Sequence, residues 1–114
     1  MTAAPPLSGV RVLDLTAWQA GPQATMLLGD FGAEVVKIEA PQRLDGWRGG
    51  AGLTAERMYE RNPFWNAVNR GKLGISLDLA SAEGRALFLR LVADADVVVE
   101  NFTARVMANL GLGY

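Results

Sequence analysis

Four short runs of mainly apolar residues are spaced along the chain, and between them lie longer stretches whose apolar residues recur at helical spacing. The first run, VRVLDL, is nearly continuous and typical of a strand that is covered on both faces, as in a parallel sheet, whereas GISLDL alternates apolar and polar residues as a strand does. The predicted strands are Val10–Leu15, Glu34–Glu39, Gly74–Leu79 and Asp96–Glu100. The pattern therefore predicts a chain that begins as strand, helix, strand.

Three of the intervening stretches predict helices. The first begins at Gly21–Pro22, where the missing N–H of proline costs nothing, and runs to Gly32. Its residues are apolar almost all the way round, which predicts deep burial, and its final glycine is placed to end it in the left-handed conformation. Ser81 is a suitable cap for the second helix, whose apolar stripe lies within Leu87–Ala95. Ala104–Leu110 predicts a short last helix.

Helices that alternate with short strands in this way predict an α/β fold. We expect an open, parallel, Rossmann-like sheet of about four strands with helices on both faces, in one domain over residues 1–114. In such sheets the ligand crevice lies at the carboxyl ends of the strands. Those ends are Thr16–Ala20, Ala40–Pro41, Leu79–Ser81 and Asn101–Thr103.

The stretch over about residues 40–68 breaks this pattern and predicts a long loop, in which glycines cluster and aromatic residues are scattered among charged ones. A helical turn or two fits around Thr54–Arg61, with Thr54 as its cap. Basic residues outnumber acidic ones over Arg43–Lys72. The segment therefore either faces an anionic ligand or carries ordinary solvated charges.

The composition excludes several kinds of chemistry. The 114 residues include no histidine and no cysteine, so a His general base, a Ser-His-Asp triad, a thiolate nucleophile and a His- or Cys-ligated metal site are impossible within them. The net charge of −1 provides no basic field for nucleic acid. No apolar run approaches the roughly 18 residues of a membrane span, and MTAAPPLSG lacks the features of a signal peptide. We expect a cytoplasmic protein whose partners include neither nucleic acid nor membrane.

The stretch VRVLDLTAWQAGPQ, residues 10–23, joins the first predicted strand to the first helix through a short turn. Free N–H groups and the positive end of the helix dipole favour an anionic ligand at such a place. The dinucleotide fingerprint G-x-G-x-x-G and the phosphate loop G-x-x-x-x-G-K-[ST] are both missing, which disfavours nicotinamide and P-loop nucleotide chemistry. Asp14, near the end of the strand, is expected to hydrogen-bond loop amides rather than to act as a nucleophile.

Four segments, taken in order, resemble the start of the class III CoA-transferase family (CaiB/BaiF type), which includes formyl-CoA transferases and α-methylacyl-CoA racemases. The segments are LDLTAWQAGPQATMLLGDFGAEVVKIEAP, NRGKLGISLDL, ADVVVENF and LGLGY. The resemblance covers about Leu7 to Tyr114 and implies the N-terminal part of a Rossmann-like, CoA-binding domain in a larger, interlocked homodimer. It also implies an acyl-CoA and a carboxylic acid as substrates, with coenzyme A as the group that is transferred and no metal.

The same motifs imply which residues contact CoA or the acyl group. These are Gln19, Ala20, Arg70, Lys72, Leu77, Asp78, Leu79, Ala80, Asn101, Phe102 and Thr103. Among them, Arg70 and Lys72 are placed to meet phosphates. Asn101 is also suited to cap the last helix.

The resemblance implies that the catalytic residues lie outside this chain. The aspartate that forms the covalent intermediate in the transferases is downstream of Tyr114, as are the His and Asp of the racemase branch, so no catalytic residue is predicted here. Ala40 and Asn109 stand where formyl-CoA transferases often have arginine, which leaves two phosphate contacts without their usual residue. The leading hypothesis is the CoA-binding portion of a class III CoA-transferase. The alternatives are a portion of an α-methylacyl-CoA racemase and a non-catalytic CoA- or nucleotide-binding module.

Overall fold

The computed structural model describes residues 3–49 and 57–114 of the chain. The strands are β1 (Arg11–Asp14), β2 (Glu34–Glu39), β3 (Leu73–Ser76) and β4 (Val97–Val99). The helices are α1 (Ala20–Asp30), α2 (Met58–Arg61), α3 (Pro63–Val68), α4 (Ala82–Ala93) and α5 (Val106–Asn109), and a 3₁₀ turn covers Gly46–Arg48. The four strands are those that the apolar pattern predicts.

The strands form one parallel sheet in the order β3-β2-β1-β4. β1 is flanked on one side by β2, with Asp14 opposite Lys37, and on the other side by β4, with Asp14 opposite Val99. This is the order of the first four strands of a Rossmann sheet. The predicted fold class, an open parallel sheet of about four strands, is confirmed.

Helices lie on both faces of the sheet. Leu13 of β1 belongs to a core cluster that includes Phe88 of α4, which is 2% exposed. Val12 and Val35 belong to a second cluster, against which Leu28 of α1 packs. Successive residues of a strand point to opposite faces, so β1 supplies both cores from neighbouring positions.

Helix α1 begins two residues before Pro22, at Ala20, and its burial differs from the prediction. Thr25 and Met26 are buried, but Leu27 and Phe31 are each about half exposed. The prediction of deep burial is therefore wrong for this chain, because α1 packs on the sheet with one side and nothing described here covers the other. Gly32 follows the helix with φ +104°, as the predicted left-handed ending requires.

The predicted long loop contains more regular structure than its sequence indicated. Asp45 caps the 3₁₀ turn by accepting a hydrogen bond from the amide of Trp47. Asn62 caps α3 by accepting one from Phe64, and Pro63 occupies the first turn, as proline commonly does. The predicted helical turn is present as α2, while its proposed cap Thr54 lies outside the described residues.

Strand β3 ends three residues earlier than predicted. Leu77 continues the ladder through one bond from its amide to the carbonyl of Glu39. Asp78 then turns the chain, since its side chain accepts from the amide of Ala80. Ser81 caps α4 as predicted by accepting from the amide of Gly84. This Asx turn ends the strand before Leu79, although the alternation in GISLDL predicted a strand up to that residue.

Both outer strands present apolar side chains to solvent. Leu73 and Ile75 of β3 are exposed, as are Val97 and Val98 of β4.

None of the helices in residues 3–49 and 57–114 has the length and apolarity that crossing a membrane requires.

The close approach of Gly84 to the turn before α4 gives a test of the fold. A Cβ at this position would lie 1.8 Å from the carbonyl oxygen of Asp78, which is backbone and cannot move aside cheaply. We expect Gly84→Ala to lower the free energy of unfolding by about 1–3 kcal/mol, as overpacking does, although alanine is the better helix former.

Urea unfolding measures this change, with Gly74→Ala as the matched control. A Cβ on Gly74 has no heavy atom within 4 Å among the described residues, so the control should unfold close to the unsubstituted chain. A Gly84→Ala variant as stable as that control would contradict the packing described here.

Candidate functional site

The candidate site lies where β1 and β4 end side by side. From β1 the chain passes through α1 to β2 on one side of the sheet, while β4 lies on the other side. Ligands of open α/β sheets bind at such a switch point, outside the carboxyl ends of the strands. The segment Thr16–Gln19, which links β1 to α1, forms one wall and is called the exit loop below.

Asn101 fixes the middle of the exit loop from β4. Its Oδ1 accepts a hydrogen bond from the amide of Ala17 at 2.9 Å, and its Nδ2 donates to the carbonyl of Ala17 at 2.8 Å. The pair imitates a strand ladder across residues 84 apart in sequence. Asn101 does not cap the last helix, since Arg105 occupies that position without a side-chain bond.

A buried ion pair holds Thr16 and Trp18 of the exit loop. Lys37 donates to the carbonyl of Thr16 at 2.5 Å and to Asp45 Oδ2 at 3.2 Å. The carboxylate of Asp45 also accepts from the amide of Trp18, with 3.2 Å to each oxygen. The side chains of Lys37 and Asp45 are 2% and 1% exposed, so the pair is held away from water.

A second buried ion pair joins β1, α1 and the entry to β3. Asp14 accepts from the amide and hydroxyl of Thr16, from the hydroxyl of Thr25 and from Lys72 Nζ, at 2.5–2.8 Å. Lys72 also donates to the carbonyl of Pro22 and to Asn69 Oδ1, each at 2.9 Å. The bond to the amide of Thr16 confirms the prediction that Asp14 bonds the loop.

Opposing effects set the pKa values of this pair. Burial alone would raise the pKa of Asp14, but the charge of Lys37 and the hydrogen bonds from Lys72, Thr16 and Thr25 outweigh it, so that the pKa of Asp14 is below its usual value. Burial lowers the pKa of Lys72, and the bond to Asp14 offsets only part of that effect. Asp14 is therefore a stable carboxylate with its oxygens engaged, which does not suit it to act as a nucleophile.

Trp18 has an unusual backbone conformation and begins a row of three aromatic rings. Its φ of +68° lies in the left-handed region, which a bulky residue rarely adopts. Its indole meets Trp47 edge to face at 5.4 Å between ring centroids, and Trp47 stacks on Phe64 at 4.8 Å. The indole also covers Gly46, where a Cβ would lie 2.1 Å from the ring.

Gln19 and Ala20 are exposed where the exit loop becomes α1. Gln19 precedes the first helical residue without capping it, and its Nε2 donates to Gln23 Oε1 at 3.1 Å on the surface. A side-chain amide carries both donors and an acceptor. This end of the wall is therefore suited to bind a polar ligand group, while the loop behind it is fixed by buried side chains.

The residues after β3 and β4 reach the same end of the sheet but differ in burial. Leu79 is 8% exposed and belongs to the core, whereas Ala80 is exposed. Phe102 packs against that same core, and Thr103 is exposed beside it. Asp78 directs its side chain to the amide of Ala80.

The two basic residues predicted to meet phosphates lie elsewhere. Arg70 pairs with Asp30 at 2.7 Å, and Asp30 ends α1 at the amino-terminal edge of the sheet, opposite the exit loop. Lys72 has a side chain that is 3% exposed, and its ammonium bonds three acceptors within the chain. The structure thus brings neither basic group to the exposed surface beside Gln19.

Sequence reasoning missed the buried pair Lys37 and Asp45. Lys37 carried a signal, because a lysine inside the apolar run EVVKIE must either leave the sheet or find a buried partner. Asp45 carried none, since it stands in a segment with no periodicity. Among the described residues, no group of three or more carboxylate side chains is placed to hold a metal ion.

Comparison with known proteins identifies relatives of the whole chain. The family model of CoA-transferase family III matches residues 7–114. The succinate–glutarate CoA-transferase of Agrobacterium fabrum is 44% identical over 113 residues, which are 96% of this chain and 28% of that protein. The succinyl-CoA–L-malate CoA-transferase alpha subunit of Chloroflexus aurantiacus is 42% identical over 109 residues, 96% of this chain and 25% of that protein.

Solved structures show the same fold within larger proteins. A hypothetical protein from Mycobacterium tuberculosis matches with a TM-score of 0.83 and 40% identity, over 98% of this chain and 30% of that one. A CaiB/BaiF family protein from Brucella suis matches with a TM-score of 0.82 and 39% identity, again over 98% and 30%. The chain thus spans between a quarter and a third of the length of these relatives.

The lowered pKa of Asp14 predicts how acid affects the chain. The carboxylate stabilises the fold fully above its unfolded pKa of about 3.9, and this contribution is lost as the pH falls through the lower folded value. At neutral pH, Asp14→Asn should cost about 3–5 kcal/mol of unfolding free energy, because it leaves the buried ammonium of Lys72 without its counter-charge. The variant should also lose part of the acid dependence below pH 4.

Thermal or urea unfolding between pH 2 and 7 measures both effects. Asp30→Asn breaks the exposed pair with Arg70 and should cost less than about 1 kcal/mol. The double variant Asp14→Asn with Lys72→Met removes both buried charges and should regain part of the loss. Equal stability of Asp14→Asn and Asp30→Asn would contradict the burial of this charge.

Proposed function

Because the chain belongs to CoA-transferase family III, we propose that it is the N-terminal, CoA-binding portion of an enzyme that moves CoA between carboxylic acids. The observation that carries this proposal is the position of Gln19 and Ala20. Both are exposed where the exit loop meets α1, at the switch point of the sheet. The loop is held by side chains from β2, from β4 and from the segment after β2, so little freedom is lost when a ligand binds. Preorganisation of this kind is what a ligand-binding wall requires.

The other proposed contacts surround this wall. Ala80 and Thr103 expose atoms at the ends of the neighbouring connections, and we propose that they border the CoA moiety together with Leu77, Asp78 and Phe102. Leu79, being buried, supports this surface from the core. Asn101 acts on it mainly by holding Ala17.

The two basic residues have different parts in the proposal. Lys72 is assigned to position the start of α1 through the carbonyl of Pro22, and a phosphate would have to displace an internal acceptor to reach it. Arg70 remains a proposed phosphate contact only for a ligand that extends to the amino-terminal edge of the sheet. Neither Ala40 nor Asn109 has a charged side chain to offer a phosphate.

The chemistry proposed for the complete enzyme is nucleophilic. An aspartate supplied outside these residues attacks the acyl-CoA carbonyl to form a mixed anhydride and releases CoA thiolate. The thiolate then attacks the carboxyl carbon of that aspartate, which gives an enzyme thioester and frees the donor acid. The acceptor acid repeats these steps in reverse, so one difficult exchange is divided into easier covalent ones. This chain provides binding and positioning, in a protein that we expect to be a cytoplasmic homodimer.

The relatives from Agrobacterium fabrum and Chloroflexus aurantiacus are CoA-transferases, which favours transfer over the racemase alternative. A non-catalytic CoA-binding module would have the same wall. Activity separates it from the leading proposal, since a longer protein that contains this chain should exchange CoA between acids. Epimerisation of a 2-methylacyl-CoA without exchange would instead support the racemase.

Titration of the isotope-labelled chain with CoA tests the proposed site. We expect amide resonances of Gln19, Ala20 and Thr103 to shift, and no transferase turnover when acyl-CoA and a carboxylic acid are supplied. Asn101→Ala frees Ala17 and should weaken binding about tenfold, the effect of losing roughly one to two net hydrogen bonds.

Asn66→Ala is the matched control, because Asn66 is an exposed asparagine whose Nδ2 bonds the carbonyl of Glu60 away from the exit loop. Saturable shifts centred away from the carboxyl ends of the strands would overturn the proposed site. Measurable turnover by this chain alone would overturn the claim that its catalytic residues lie elsewhere.

A further inference from the structure

Four backbone groups of the exit loop are hydrogen-bonded by side chains that come from outside the loop. The carbonyl of Thr16 accepts from Lys37, both polar groups of Ala17 bond Asn101, and the amide of Trp18 bonds Asp45. The side chains of Lys37 and Asp45 are buried, whereas Asn101 is exposed. The conformation of this loop is therefore determined from elsewhere in the fold.

Asp45 makes more hydrogen bonds than Lys37 or Asn101, the other two residues that hold the exit loop. Its carboxylate accepts from the amides of Trp18 and Trp47 and from Lys37 Nζ. Its own amide donates to Glu39 Oε2 at 3.1 Å, and Glu39 in turn pairs with Arg48 at 2.7 Å. A single buried carboxylate thus ties β2, the exit loop and the 3₁₀ turn together.

The exit loop needs such a tie because Trp18 is strained. A left-handed non-glycine residue costs about 1–3 kcal/mol and persists only where its surroundings determine it. Two contacts do so here, the bond from its amide to Asp45 and the seat of its indole on Gly46. The first contact comes from Asp45 and the second from Gly46, the next residue in the sequence.

We propose that Asp45 is a positioning residue for the CoA site. It holds Trp18 in the left-handed conformation and so fixes the direction in which the chain enters α1, which places Gln19 and Ala20. Gly46 serves the same purpose by leaving room for the indole. This assignment rests on the proposed function, since it takes Gln19 and Ala20 to be ligand contacts.

The matched variants separate positioning from general stability. Asp45→Asn keeps the size and one acceptor of the side chain but loses the attraction to Lys37. Gly46→Ala leaves the ion pair intact and displaces only the indole. Gly74→Ala, whose added Cβ meets no heavy atom within 4 Å among the described residues, is the control for the second variant. Asp30→Asn, in an exposed pair, is the control for the first.

Amide spectra of the isotope-labelled chain and CoA titration are the two measurements. We expect both Asp45→Asn and Gly46→Ala to shift the amide resonances of Trp18, Gln19 and Ala20 while those of α4 stay in place. Amide hydrogen exchange at Trp18 should quicken about tenfold, as expected when one net hydrogen bond is lost. The affinity for CoA should fall at least fivefold in Gly46→Ala with a melting temperature close to that of its control.

The outcomes distinguish this proposal from the function it rests on. If the unsubstituted chain binds no CoA but both variants shift the exit-loop amides, the positioning by Asp45 stands and the proposed CoA site fails. If the chain binds CoA and Gly46→Ala binds it equally well with unchanged exit-loop amides, the positioning role is overturned. Should Asp45→Asn fail to fold, Gly46→Ala decides the matter alone.

Discussion

Two buried ion pairs at the carboxyl end of the sheet govern the rest of the structure. Asp14 with Lys72 and Lys37 with Asp45 place two carboxylates and two ammonium groups in surroundings that exclude water. A buried charge without a partner costs several kcal/mol, so each of these four groups makes its partner necessary. Because they come from β1, β2, the entry to β3 and the segment after β2, satisfying them brings those segments into one arrangement.

The same groups hold the backbone of the exit loop, which forms one wall of the candidate site. The four buried charged side chains behind the exit loop, those of Asp14, Lys37, Asp45 and Lys72, are engaged by internal partners, and their bonds also hold backbone atoms in place. The start of α1 and small side chains at the neighbouring strand ends are exposed beside them. The buried charges thus hold in place the surface on which the candidate site lies.

The sequence was sufficient for the sheet and insufficient for the network behind the site. Apolar periodicity predicts β1 and β2 closely, since regular spacing directly reports a buried face. It misses α3, because a helix of six residues is too short to show an apolar periodicity. Only Asn62 as its cap and Pro63 in its first turn mark where this helix begins. The family resemblance suggested Lys72 as a phosphate contact, but a motif gives no information about the direction of a side chain, and this one is buried against Asp14.

The pairing of Asn101 with Ala17 has a consequence for the order of folding. The two residues are 84 positions apart, and Asp14 and Lys72 are 58 apart. Contacts between such distant residues carry a large loop-closure entropy and form after local ones. The helices and the β1–β2 pair can assemble early, with Lys37 and Asp45 already able to hold Thr16 and Trp18. Ala17, however, lacks its bonds to Asn101 until β4 has joined the sheet. The middle of the exit loop is therefore expected to be among the last parts of this fold to become ordered.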